Sequence, residues 1–453
     1  MSVTHEIAKN IINLAGTDLP QEAIEKAPLA ILDTLGVTLA GSRHEGAAIL
    51  SRIVLPTAAP GPALVFGTRI RLNVLDAAHL NGTYSHMLDF DDSNLQLRGH
   101  PSVSVLPALL AVAEELGASG HEVIRAYIIG FETATRIGMG VNPYQYAKGW
   151  HPTSTVGVFG GVAAYSILYR MTEDQITMAL GIAASMASGL QSNFGSMTKP
   201  LGVGQAARNA LLAVLLARSG FTATDLAFDH PRGYLNVFND GPGNYDVARI
   251  LSGWGQPFSI LDPGFKQKRF PCCYACLGPI DGIEELARLH RLTPADIDHI
   301  HVVVHPYRFP HINVPDPRSP LQAKFSVHYC VSRMLMNGTL TFADFEGTCF
   351  EDPATRRLME RVTFASRESN NADAAEVRVT TTAGNVFEAK IESALGATYK
   401  HPLPIEALAG KFRDCASRLL PTPAVEALYD GLRGLDAVPD IRTLTTLVAQ
   451  VSD

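Results

Sequence analysis

The sequence is short of charge. Asp, Glu, Lys and Arg make up only 18% of its 453 residues, against 46% hydrophobic ones. No Lys/Arg block occurs and the net charge is −7, so nucleic acid is not an expected partner. Positive charge for any anionic ligand must therefore be supplied locally. Long apolar runs are also missing. ALLAVLLA (210–217) falls far below the roughly 20 residues that span a bilayer, so no membrane association is expected. The opening MSVTHEIAKN is polar and leads into no apolar signal region, which gives the expectation of a cytoplasmic protein. Cysteine is sparse. The six are scattered and, without a secretory signal, read as free thiols rather than a disulfide framework.

Metal and cofactor signatures are incomplete. HExxH is absent, and Asp89, Asp91 and Asp92 lack the spacing of an EF-hand loop. Cys273-Tyr-Ala-Cys276 has no second pair for zinc and no βαβ context for redox work. An iron–sulfur cluster would need a third thiolate such as Cys330 or Cys349. Gly202-Val-Gly204-Gln-Ala-Ala207 mimics the dinucleotide pattern GxGxxA, yet MTKPL rather than a hydrophobic strand precedes it. No metal and no cofactor is expected.

What is present is helix. The length exceeds one ordinary core and predicts two domains. Across 1–265, segments such as 22–41, 102–120, 121–140, 173–189 and 204–220 space apolar residues three and four apart and end at glycine. After 266 the texture changes. HIHVVVHP (299–306) reads as a strand, AAEVRVTTTAG (374–384) and NVFEAKIES (385–393) as a hairpin, and 325–338 as a helix. The tail is helical again (404–420, 423–435). The predicted fold is mostly α. A large all-α domain, 1–265 completed by 396–453, carries a smaller α+β domain, 266–395, across a turn-rich junction DPGFK.

Four stretches carry chemistry-bearing residues. SHMLDFDDSNLQLRGHPS (85–102) puts His86, Asp89, Asp91, Asp92 and His100 within fifteen positions. GWHPTSTVGVFGG (149–161) sets His151 before Thr153 and Ser154, which can cap a helix or hold an anion. Lys199 stands beside a Gly-rich helix start whose free N–H groups suit a carboxylate. GFKQKRFPCC (264–273) interleaves three cations with Phe265, Phe270 and Pro271, so at least one cation is expected to face a cleft. Taken singly, each has a plain structural reading: helix-end charge, a packed histidine, a solvated basic turn.

Together with AKFSVHY, which places Tyr329 on a helix, these stretches resemble the MmgE/PrpD family in order and separation over nearly the whole chain. That family includes 2-methylcitrate dehydratase, cis-aconitate decarboxylase and iminodisuccinate epimerase. The resemblance implies a large helical domain with an inserted α+β lid, a metal-free homodimer and a small di- or tricarboxylate substrate. It also matches Asp89, Ser93, His100, His151, Lys199, Lys268 and Tyr329 to the family's site residues. Two departures stand out. The loop ending in LRGHPS is one residue longer than in decarboxylase-like members and resembles the epimerase version. Leu277 stands where many members have a histidine.

The chemistry implied is proton removal from a carbon α or β to a carboxylate, with the developing charge stabilised by nearby cations. His151 is expected as the main proton-transfer group, with His100 held by Asp89 or acting as a second one. Lys199 and Lys268 are expected to bind carboxylates. Ser93 and Tyr329 would orient the substrate or donate a proton, and Arg98 and Thr153 complete the binding set. His86, Asp91 and Asp92 are expected to support the loop. Dehydration is the first expected reaction, epimerisation the second, cis-aconitate decarboxylation the third. An iron–sulfur hydro-lyase and a non-catalytic polycarboxylate-binding protein are the readings from other classes.

Overall fold

The computed structural model describes residues 2–397 and 401–451; residues 398–400, inside the expected returning segment 396–453, lie outside the described part. The chain divides into two compact units, Met1–Phe265 with Ala409–Asp453, and Lys266–Leu408. The fold is mostly α, with a small mixed sheet confined to the second unit apart from a short two-stranded ribbon.

The first unit is a helical core. Gly157–Leu168 is buried on all sides because its sequence, GVFGGVAAYSIL, carries no charge. It packs on Pro101–Leu116 and Gly120–Val141 with backbones nearly touching. A Cβ on Gly130 would lie 2.7 Å from the Gly160 carbonyl oxygen, and one on Gly160 equally close to that of Gly130. Thr198–Arg218 packs in the same manner on Val74–His86: a Cβ on Gly204 would meet Thr83 Oγ1 at 2.1 Å. Gly204 is thus a close-packing residue inside a helix, not a phosphate turn. The helix begins at Thr198 rather than at Gly204 because Pro200 is tolerated in a first turn. Thr198–Arg218 is long and apolar enough to cross a membrane, but most of it is buried inside the unit. A ribbon, Pro60–Leu64 with Arg71–Leu72, adds the only strands described in this unit.

In the second unit the strands run in the order Val362–Ser366, Ile297–Val304, Ala375–Thr381, Val386–Ile391. The first pair is parallel and the others antiparallel. Ile300, Val302 and Val304 alternate inward with Val377 and Val379 and meet the helix Tyr274–His290. A Cβ on Gly282 would sit 2.7 Å from Val377 Cγ2, so this glycine sets the helix-to-sheet distance. Gln267 N–H donates to the Gly396 carbonyl (2.7 Å) and Leu395 N–H to the Asp281 carboxylate (2.7 Å), stitching the 395–396 turn into this unit.

Candidate active site

Two His-Pro pairs start the geometry. His100 and His151 each precede a proline that opens a helix, Pro101–Leu116 and Pro152–Thr155. A residue before proline is kept out of the helical conformation, and both histidines are accordingly extended, at φ −115°, ψ 93° and φ −97°, ψ 95°. The two turns are locked together. His100 N–H donates to Thr153 Oγ1 (3.1 Å), and a Cβ on Gly99 would lie 2.8 Å from Thr153 N. His151 N–H donates to the Gly189 carbonyl (3.0 Å).

The loop between Val74–His86 and Pro101–Leu116 is held from inside and outside. Asn94 Oδ1 accepts from Gln96 and Leu97 N–H (2.8 and 2.9 Å), while its Nδ2 donates to the Gly264 carbonyl (2.6 Å). Lys411 Nζ donates to the Phe90 carbonyl (2.8 Å) and pairs with buried Asp33 (2.6 Å). Asp89 occupies the left-handed region, φ 50°, a conformation that aspartate tolerates better than most residues and that here brings its carboxylate to Lys199.

Three imidazoles meet there. His86 closes its helix and lies between the other two, with ring centroids 4.6 Å from His100 and 5.7 Å from His151. His86 Nδ1 is 2.9 Å, and His100 Nδ1 2.8 Å, from the same oxygen of Asp91, Oδ2. On its other side His100 Nε2 is 3.8 Å from Asp89 Oδ1, which receives Lys199 Nζ at 2.6 Å. Phe194 stands edge-on to His151 (5.0 Å) and under the Lys199 ammonium (5.1 Å). His86, Asp91 and His151 are buried, His100 is partly exposed, and the Asp89 side chain is 51% exposed, so the cluster opens on the Asp89 side.

Burial sets the charges. It pushes the His151 imidazole down to about 2, with His86, Lys199 and His100 acting the same way and Asp89 opposing. Burial likewise pushes His86 down to about 4, although Asp91 pulls it up. For Asp91, burial acts upward, yet His86 and His100 together hold it well below the carboxylate range. Burial, with Asp33 and Asp91 adding to it, pushes neighbouring Asp92 up to about 8 against a Ser102 hydrogen bond, so Asp92 is a neutral acid at pH 7. Burial therefore keeps His86 and His151 neutral near pH 7, beside the Asp89–Lys199 ion pair. Negative charge placed near a buried imidazole raises its basicity, so such a cluster is suited to proton transfer.

His86, Asp89, Asp91 and His100 also offer four ligand-type atoms within 4.8 Å of one another. A cation there would have to take Asp89 from Lys199 and break both imidazole contacts of Asp91, so the donor set fits an internally paired proton network better than a metal site.

Of the residues singled out from sequence, Asp89, His100, His151 and Lys199 are brought together in the first unit. Thr153 supports the His100 backbone. Ser93 is half-buried on the same loop. Arg98 is exposed, at φ 51°, with its guanidinium 6.0 Å over the Tyr146 ring. Lys268 and Tyr329 belong to the second unit. Lys268 is half-buried, and the buried Tyr329 hydroxyl donates to the Asp344 carbonyl. Leu277 lies in the core of that unit, as do Cys276 and Cys330, which burial holds protonated. His100 turns its Nδ1 to Asp91, not to Asp89. Sequence reasoning missed His86 and Asp91 as members of the cluster. Their separation of five residues matches no helical pairing, and only the turn after His86 brings them face to face.

Comparison with known proteins places these residues in context. A family model described as the MmgE/PrpD N-terminal domain matches residues 5–245, and one described as the MmgE/PrpD C-terminal domain matches 270–430. The chain is 30% identical over 473 residues to a cis-aconitate decarboxylase of Aspergillus terreus, covering 98% of this chain and 96% of that protein. It is 29% identical over 463 residues to a cis-aconitate decarboxylase of Homo sapiens, covering 99% and 94%. A 2-methylcitrate dehydratase of Cupriavidus necator is 26% identical over 449 residues, covering 90% and 88%.

Proposed function

The chain belongs to the MmgE/PrpD family, and from that premise we propose that it is a metal-independent lyase that decarboxylates a small tricarboxylate of the cis-aconitate type. The observation that carries this reading is the cluster of His86, His100 and His151 beside the Asp89–Lys199 pair, in a chain similar over nearly its full length to cis-aconitate decarboxylases. In the reaction the bond from carbon to the departing carboxylate breaks and its electron pair stays on carbon, delocalised toward a neighbouring unsaturated carboxylate. An imidazolium delivers one proton to that carbon, and CO₂ leaves. Lys199 supplies the positive charge that the delocalised anion needs. His151 is assigned the proton delivery and His100 the second transfer. Ser93, Arg98, Thr153, Lys268 and Tyr329 are assigned to binding and orientation.

Dehydration of a 2-methylcitrate-like substrate uses the same groups in reverse order. An imidazole takes a carbon proton, and hydroxide leaves as water with a second proton. Similarity to 2-methylcitrate dehydratases supports it at lower identity and coverage. Epimerisation of an amino-dicarboxylate is supported by the LRGHPS loop. The deciding experiment incubates the protein with cis-aconitate, 2-methylcitrate and an iminodisuccinate-type dicarboxylate in D₂O. It reads CO₂ release, alkene formation and deuterium at carbon. CO₂ with a deuterated product from cis-aconitate is expected. Absence of turnover and of exchange across all three would remove the proposal.

A further inference from the structure

We propose that Asp91 is a positioning residue shared by two imidazoles, holding both His86 and His100 as Nδ1–H tautomers so that the basic Nε2 of His100 is presented to the Asp89–Lys199 side. This rests on reading the first-unit cluster as the reacting site, and it concerns two residues that sequence reasoning assigned to loop support.

The geometry is specific. His86 Nδ1 lies 3.0 and 2.9 Å from the two oxygens of Asp91, and Asp91 Oδ2 lies 2.8 Å from His100 Nδ1, an ion-pair contact off the line of a hydrogen bond. A buried ionised carboxylate accepts hydrogen bonds and cannot donate them. Were either imidazole to carry its proton on Nε2, a nitrogen lone pair would face a carboxylate lone pair in a water-poor interior. The Nδ1–H form is therefore the one in which His86 can donate to Asp91 and His100 can approach it at 2.8 Å without repulsion. It follows that the free nitrogen of His100 is Nε2, which lies 3.8 Å from Asp89 Oδ1 and thus on the side where Lys199 is available to a substrate carboxylate.

His86 then has a second effect. Because it lies against both oxygens of the carboxylate that His100 also approaches, it takes up part of the negative charge that would otherwise face His100 alone. A carboxylate serving one imidazole raises that imidazole's basicity fully; one serving two raises each less. His86 is fully buried, its Nε2 has no hydrogen-bond partner among the described residues, and burial keeps it neutral. It is thus a counter-donor rather than a proton carrier exposed to substrate. The charged and titratable groups facing His100 are Asp91, Asp89, Lys199, His86 and His151, with Asp92, Asp33 and Tyr127 behind Asp91.

The test begins without substrate. Long-range ¹H–¹⁵N correlation on protein labelled with ¹⁵N-histidine reports the tautomer of each imidazole, assigned with His86→Phe and His100→Gln. Both are expected as Nδ1–H at neutral pH; an Nε2–H tautomer at His100 overturns the proposal, whatever the protein turns over. Kinetics follow. Asp91→Asn offers an amide that can donate as well as accept, and is expected to lower kcat about 100-fold with KM within about threefold. His86→Phe is expected to move the acid limb of the kcat/KM pH profile by about one unit. An Asp91→Asn enzyme with wild-type kcat, or an unmoved limb in His86→Phe, counts against it. If Asp91→Asn does not fold, the wild-type tautomers still decide.

Discussion

At the scale of single residues, burial keeps His86 and His151 neutral near pH 7. His151 is the extreme case, pushed down to about 2 by burial and by its cationic and imidazole neighbours. Binding of a polycarboxylate should reverse that field, so ligand binding and proton uptake are coupled. Calorimetric titration with a non-reacting tricarboxylate in buffers of different ionisation enthalpy should show uptake of about one proton near pH 7.5; no uptake would mean that no imidazole responds to the ligand. The same groups tie stability to pH. In the unfolded chain both His86 and His151 titrate near 6.5, whereas in the fold they sit at about 4 and about 2. The folded state therefore binds fewer protons, and the stability that the neutral imidazoles allow is lost as pH falls below 6.5. The loss by about pH 5 should be about 2 kcal/mol for each, read as a shift of the urea midpoint; His151→Gln should halve that dependence. Lys199→Met should lower kcat/KM by about 100-fold, because a desolvated carboxylate contact to an ammonium is lost. Steady-state kinetics on the true substrate check this.

At the scale of elements, the histidines are placed by backbone rules that a sequence displays openly. Each stands before a helix-opening proline, and Gly99 lets the two turns touch. Gly99→Ala should force Thr153 away from His100 and lower kcat at least tenfold with a smaller loss of stability, since the strain falls on the turn rather than the core. Gly204→Ala should do the opposite, costing about 1–3 kcal/mol through its clash with Thr83 and the His79 carbonyl. Thermal melting beside kinetics separates the two. Helices were legible where apolar spacing ran into glycine, as in Gly120–Val141 and Pro101–Leu116. The start of Thr198–Arg218 was not, because MTKP looks like a turn and GVGQAA like a phosphate loop. The ribbon strand Pro60–Leu64 was hidden by its two prolines, and Val362–Ser366 by its brevity.

At the scale of the whole molecule, the C-terminal segment that returns to the first unit brings Lys411 to the loop bearing Asp89 and Asp91. Lys411 reaches both Asp33 and the Phe90 carbonyl from within that segment. Lys411→Met would leave Asp33 buried without its ammonium and should cost about 3–5 kcal/mol, with the loop bearing Asp89 and Asp91 loosened; denaturation and hydrogen exchange at 88–94 would show it. The family pattern in the sequence pointed to Asp89, His100, His151 and Lys199, because each sits in a distinctive local stretch. It could not show that His100 leans on Asp91, nor that His86 joins the stack, because those pairings form only when the helix ending at His86 meets the loop and the 151–155 turn. The central claim is that this cluster moves a proton to or from a carbon beside a carboxylate. The most direct measurement is proton NMR of cis-aconitate turned over in D₂O by the wild-type protein and by His151→Ala. The account predicts CO₂ loss with one solvent deuteron at carbon for wild type and a rate at least 1,000-fold lower for the variant, on the order of what removing a general acid–base group costs. Equal rates in the two proteins would contradict it.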